Sequence, residues 1–227
     1  MPFVIFAATM AAVVLISNIL VQFPVELSIC SYALGDILTW GAFTYPVAFL
    51  VTDLVNRAYG PSMARRVVFG GFATAIIASI IVPPVLYDFG WIGFETEAGR
   101  LQRVAIASGL AFLCGQLLDV TLFNHFRAQS WWKAPIIGSV LGSAADTAVF
   151  FTSAFAAVFV VLGPIDPFAS EPALFLGLYD SGLPRWVSWA IGDFTVKLLI
   201  AAITLVPYRL FMDRFGAWQV PAKSALY

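Results

Sequence analysis

The chain has 227 residues, of which 61% are hydrophobic and 11% charged, and its formal net charge is −1. Soluble domains carry about 25% charged residues, so this composition excludes an ordinary aqueous surface and makes lipid the expected solvent. The basic residues are few and scattered, which excludes a nucleic-acid-binding face.

Six apolar stretches approach the ~20 residues that a membrane-crossing helix needs. They cover residues 3–23, 37–56, 66–87, 101–123, 135–162 and 185–211. No basic residue precedes the first stretch, and its apolar run is too long for a signal-peptide core, so it reads as a retained helix. Ala7-Ala8 and Ala11-Ala12 place small residues four apart on it, a close-packing pattern. In SNILVQFPV, Asn18 and Gln22 are four apart and share a face. The second stretch carries the aromatic set Trp40, Phe43, Tyr45 and Phe49. Such rings suit lipid-facing or interfacial packing, or stacking on a flat ligand. Asp53 precedes Arg57 by four residues and reads as a structural pair at the helix end.

Pro83-Pro84 predicts that the third helix breaks at the membrane edge. On the fourth, Gln116 and Asp119 are three apart on one face. The fifth is long enough to tilt or to extend beyond the membrane, and its Asp146 follows Ser143 on one face. GPIDPFASEPALFLGLYDSGLP reads as an outer loop, with ALFLGLY lying along the interface. The sixth holds Asp193 and Lys197, acid before base at the spacing that favours a helical ion pair. These runs are continuous rather than alternating, which argues against a β-barrel. The expected fold is an all-α membrane protein, a six-transmembrane-helix bundle forming one integral membrane domain over 1–227.

Lys and Arg in the loops set orientation. Arg57, Arg65, Arg66, Arg127, Lys133, Arg209, Arg214 and Lys223 fall on one side, against Arg100, Arg103 and Arg185 on the other. Both termini are therefore expected to be cytoplasmic, in a multi-pass protein.

Chemistry is best sought among intramembrane ionisable groups, which are expensive unless paired or wetted. Asp53, Asp119, Asp146, Asp193 and Lys197 qualify, and Lys197 is the lone base among four acids. Cys30 and Cys114 lie at different depths, so no disulfide is expected. With His125 they are too few for a zinc site built on thiol and imidazole, and neither metal nor cofactor is expected. The sequence holds no HExxH, GxSxG or P-loop. An intramembrane enzyme using paired aspartates is an alternative reading, but GxGD is absent. The Gly-Asp pairs are LGD at Leu34–Asp36 and IGD at Ile191–Asp193. Polar groups converging from several helices suit a transporter or binding subunit for a polar solute.

Five segments in order, SNILVQFPV, TWGAFTYPVAFLVTDLVNRAYGPSMARRVVF, GQLLDVTLFNHFR, WWKAPIIGSVLGSAADTAVFF and GDFTVKLL, resemble the queuosine precursor transporter family of the vitamin uptake transporter group. The resemblance covers nearly the whole chain. It implies six transmembrane helices similar to the substrate-binding subunits of energy-coupling-factor transporters, placed in the inner membrane. It also implies a deazaguanine substrate, such as the cyano-deazaguanine precursor or a queuine-type base. Two features depart from the pattern: the chain starts almost directly at its first helix, and the loop between helices five and six is longer. A deazaguanine offers a ring N–H and an exocyclic amine as neighbouring donors, which a carboxylate accepts bidentately, and a carbonyl that needs a donor. The implied ligand set is Lys197 and Asp146 first, then Gln116 and Asp119, then Asn18 and Gln22. Trp40, Phe43 and Tyr45 are the stackers, and Asp193 orients Lys197. Asp53 is left outside, as a structural or gating acid. The sequence leaves open a stand-alone facilitator or a proton-coupled carrier with an aspartate as the proton site, a homodimer, or a binding subunit that docks on an energising partner through the alanines of the first helix.

Overall fold

The computed structural model describes residues 2–20, 25, 27–29, 32–34, 38, 40–91, 98–176 and 178–215. The described residues are mostly helical, in the order α1 (Pro2–Leu20), β1 (Ser28–Ile29), β2 (Tyr32–Ala33), α2 (Gly41–Thr44), α3 (Val47–Tyr59), α4 (Pro61–Asp88), α5 (Ala98–Phe126), α6 (Lys133–Phe155), α7 (Pro167–Ser170), β3 (Pro172–Phe175), β4 (Tyr179–Pro184) and α8 (Arg185–Phe215). The stretches 102–126, 133–155 and 185–213 are long and apolar enough to cross a membrane. The chain is a helical membrane protein.

The second predicted helix is interrupted. Pro46 has no N–H, and its ring crowds the preceding turn, so the stretch divides into α2 and α3 with Tyr45 at the break. Gly60 then closes α3 at φ +85°, a value that favours glycine. Its N–H donates to the Asn56 carbonyl at 3.0 Å, and Pro61 opens α4. Contrary to the sequence expectation, α4 does not break at Pro83-Pro84 but runs on to Asp88. A proline removes one backbone bond without forbidding helical φ, and helices in lipid tolerate it.

The fifth predicted helix ends early. α6 stops at Phe155, Ala156 is extended, and residues 157–162 form a 3-10 segment. Arg103, expected in an outer loop, explains the stop. It is buried on α5 and donates from Nε to the Ser153 carbonyl at 3.0 Å and from Nη2 to the Ala156 carbonyl at 2.7 Å. Its Nη1 reaches the carbonyls of Gly163 and Pro164, both at 3.2 Å. A guanidinium thus collects the carbonyls that the end of α6 leaves without intrahelical donors. The loop that follows is more ordered than predicted. Asp166 caps α7 by accepting from Ala169 N–H, and the described residues of ALFLGLY fall in a β3–β4 hairpin.

α5 and α6 form the most extensive helix pairing, and glycine makes it close. A Cβ on Gly115 would sit 2.8 Å from Asp146 Cβ and 2.9 Å from the Gly142 carbonyl oxygen. A Cβ on Gly142 would lie 2.9 Å from the Gly115 oxygen. Close backbone approach through small residues is the usual device where lipid supplies no hydrophobic drive between helices. Around this pair, Met10, Val14, Ala48, Val51, Val67 and Phe112 join α1, α3, α4 and α5 in one apolar cluster. Phe123, Ala134, Tyr208 and Met212 form a second at the C-terminal ends of α5 and α8.

Replacing Arg103 with Met leaves four carbonyls, the Ser153 one buried, short of a donor. We expect a loss of about 2–4 kcal/mol, read as a lower thermal unfolding midpoint in detergent, while Arg65→Met is neutral. Gly115→Val pushes α6 away through Asp146 and the Gly142 backbone, and overpacking of this kind costs about 1–3 kcal/mol. The same unfolding assay checks it against Leu118→Val on the exposed face.

Candidate functional site

α8 carries Lys197 near the middle of its apolar run, where only 4% of the residue is exposed. A lysine there must find partners within the bundle. Its Nζ lies 2.5 Å from Asp193 Oδ2, the i,i+4 partner that the spacing predicts, and 2.6 Å from Asp146 Oδ2 on α6. It also donates to Thr147 Oγ1 at 3.1 Å, and that hydroxyl donates to Asp193 Oδ2 at 2.8 Å. The break before Pro46 brings Tyr45 to the same place. Its hydroxyl donates to Asp146 Oδ1 at 3.1 Å, and Lys197 Nζ sits 5.2 Å from its ring centroid. Phe49 and Phe112 hold that ring edge-on, at 6.4 and 6.3 Å. Two carboxylates and one ammonium therefore meet in a largely dry cluster with acceptor capacity to spare.

A second polar layer lies along the same α5–α6 seam. Gln116 accepts a 2.5 Å hydrogen bond from Thr52 Oγ1, and its Nε2 is buried with no partner. Asp119 is fully buried, with Oδ1 against Gly138 and its Cβ beside Gly142. Asp53 corrects the sequence reading. Among the described residues it forms no salt bridge with Arg57, and its carboxyl meets Asp119 and Ser139. Arg57 is drawn elsewhere: Nε donates to the Tyr208 hydroxyl at 2.8 Å and Nη1 to the Arg127 carbonyl at 2.7 Å. Arg127 returns a bond to the Arg57 carbonyl at 3.2 Å. Burial, and then the neighbouring Arg57 charge, hold the Arg127 guanidinium below its ordinary pKa. These two arginines and Tyr208 close the bundle at the C-terminal ends of α3 and α5.

Of the sequence candidates, the structure brings together Lys197, Asp146, Asp193 and Tyr45. Gln116 and Asp119 sit one layer away. Trp40 and Phe43 pack on each other at 5.8 Å and are 43% and 37% exposed, so they face outward. Asn18 is on α1 with its side chain outside the described residues, and Gln22 lies outside them altogether. Thr147 and Thr52 were not singled out from sequence, although each adjoins an intramembrane aspartate, the signal that could have found them. No group of His, Cys, Asp and Glu able to hold a metal ion occurs among the described residues.

No solved structure matches the chain. The "Queuosine precursor transporter" of Escherichia coli is 35% identical over 195 residues, covering 84% of this chain and 77% of that protein. The "Probable queuosine precursor transporter" of Haemophilus influenzae is 35% identical over 201 residues, with the same coverage. A protein of that name from Bacillus subtilis is 30% identical over 198 residues, covering 85% of this chain and 76% of its own length. These relatives are transporters rather than enzymes, which leaves the paired-aspartate enzyme reading without support. The family model "Putative vitamin uptake transporter" matches residues 39–212, and the chain belongs to that family of membrane transporters.

Proposed function

We propose that the chain takes up a queuosine precursor, a deazaguanine base such as the cyano-deazaguanine, and binds it at the Lys197 cluster. The observation that carries this reading is the buried set Tyr45, Asp146, Asp193 and Lys197, in which acceptors outnumber the one cation. The names of the relatives support the substrate class. A guanine-like base presents two adjacent donors that Asp146 accepts when it leaves Lys197, while the base carbonyl takes the ammonium. Asp193 stays with Lys197 and orients it. Tyr45 offers a ring face, and Gln116 contributes its unpartnered amide N–H from the next layer. A base lacking those donors would leave buried acceptors unpaired, which is how such a site discriminates.

The architecture behind this reading is six membrane-crossing segments, namely α1, α2 with α3, α4, α5, α6 and α8, similar to an energy-coupling-factor substrate-binding subunit. The bundle sits in the bacterial inner membrane with both termini cytoplasmic, the side that loop lysines and arginines favour. Arg103 and Arg57 are both buried, so one residue leaves each count and the excess is unchanged. On α1, Ala7 faces Gly70 of α4, so only the outer alanines remain for a partner.

A thermal-shift screen of purified protein against guanine-like bases tests the site. Ligand at 100 times its Kd adds about 2.7 kcal/mol of stability, so a cyano-deazaguanine should raise the midpoint clearly. Asp146→Asn, nearly isosteric, should abolish the shift, and Tyr45→Phe should reduce it. A folded wild-type protein unmoved by every deazaguanine would remove the substrate from this account.

A further inference from the structure

The fold buries a second pair of acids that the proposed substrate contacts do not use together. Asp53 on α3 is 3% exposed and Asp119 on α5 is 0% exposed. The two carboxyls are buried neighbours that act on each other, and both press on consecutive residues of α6. Asp119 Oδ1 abuts Gly138, and Ser139 Oγ is 3.5 Å from Asp53 Oδ2. Both oxygens of Asp119 and Oδ1 of Asp53 are buried without an N–H or O–H of the protein donating to them. An ionised carboxylate only accepts, so a bond between two of them requires a proton. Two neighbouring carboxyls in a dry bundle are the arrangement in which one proton is shared.

The surroundings supply one positive charge against two acids: Arg57 acts on Asp53 without a salt bridge to it among the described residues. Arg57 on α3 and Tyr208 on α8 are the charged or titratable groups turned toward the pair; α5 contributes the second acid and α6 only Ser139. Nε and Nη1 of Arg57 go to Tyr208 and the Arg127 carbonyl, while its Nη2 is buried without a hydrogen-bond partner.

We propose that Asp53 and Asp119 hold one exchangeable proton between them, and that this carboxyl pair couples uptake of the solute to the proton gradient. The balance is simple: the proton enters from one side, takes the pair from two negative charges to one, and leaves toward the other side. No redox partner is needed. Gly138, Gly142 and Asp146 stand at four-residue steps on α6. They place the pair and the Lys197 cluster on one face, about 12 Å apart at 1.5 Å per residue. A change of charge at one is therefore felt at the other, through helices too tightly packed to move independently. The inference rests on transport by this chain and on the Lys197 cluster as the solute site, and not on which base is carried.

Infrared spectra of the full-length protein in lipid test the pair without any solute. Wild type should show a protonated-carboxyl C=O band near neutral pH. Asp53→Asn and Asp119→Asn should each change or remove it, and Asp146→Asn should leave it. In vesicles containing only this protein, a proton gradient should drive accumulation of labelled cyano-deazaguanine, and a sodium gradient should not. Asp53→Asn should keep the thermal shift with that base yet accumulate it no better than without a gradient. Absence of the band in wild type, or its persistence unchanged in Asp53→Asn, overturns the proposal, as does accumulation that follows sodium. A protein that shows the band but responds to no deazaguanine supports the proton pair and removes only the substrate reading above.

Discussion

The ammonium of Lys197 governs much of this structure. A charge in the middle of an apolar helix must be met from within the bundle, because neither lipid nor bulk water can solvate it there. Asp193 meets it along the helix, and Asp146 meets it across from α6. The second contact is possible only because α6 is drawn against α5 at Gly115 and Gly142, which fixes the height of Asp146. Tyr45 completes the set because Pro46 interrupts the preceding helix and leaves its ring at the break. Substitutions at glycines far from any ligand atom should therefore be felt at the site.

A buried ion cluster is weak evidence of stability, since well-packed apolar residues often serve as well. Its retention points to use. With two acids to one base, the cluster has acceptor capacity to spare, and in the proposed reading a guanine-like rim supplies the donors. The second layer has the same character in sharper form. Asp53 and Asp119 are buried neighbours, and the one positive charge acting on Asp53, Arg57, gives its Nε and Nη1 to Tyr208 and a carbonyl. Gln116 and Thr52 belong to that second layer and Gly142 stands between the two, so both acid clusters share one helix seam.

The sequence was most legible where a local rule was also the tertiary answer. Lys197 and Asp193 pair because four residues make one helical turn, and nothing in the bundle competes for that contact. Asp53 and Arg57 obey the same spacing and do not pair, because Asp119, Tyr208 and the Arg127 carbonyl are better placed neighbours that no single-helix rule can see. Arg103 was read as a loop charge because it stands near the start of an apolar run. Its burial depends on carbonyls at Ser153, Ala156, Gly163 and Pro164, far along the chain. The sequence reading ran one helix through Pro46, where the chain breaks, and broke one at Pro83-Pro84, where it continues. The hairpin at Pro172–Pro184 was hidden in a stretch whose Pro and Gly content reads as loop. Asp146 was picked out by its depth alone, and its partner became evident only when α6 and α8 were side by side.

The most direct test is a structure of the protein with a deazaguanine bound. The account predicts the base beside Tyr45, with its donors on Asp146 and its carbonyl within hydrogen-bonding distance of Lys197 Nζ, while Asp193 keeps its hold on the lysine. A base bound elsewhere, with Lys197 still closed on Asp146 and Asp193, would contradict it.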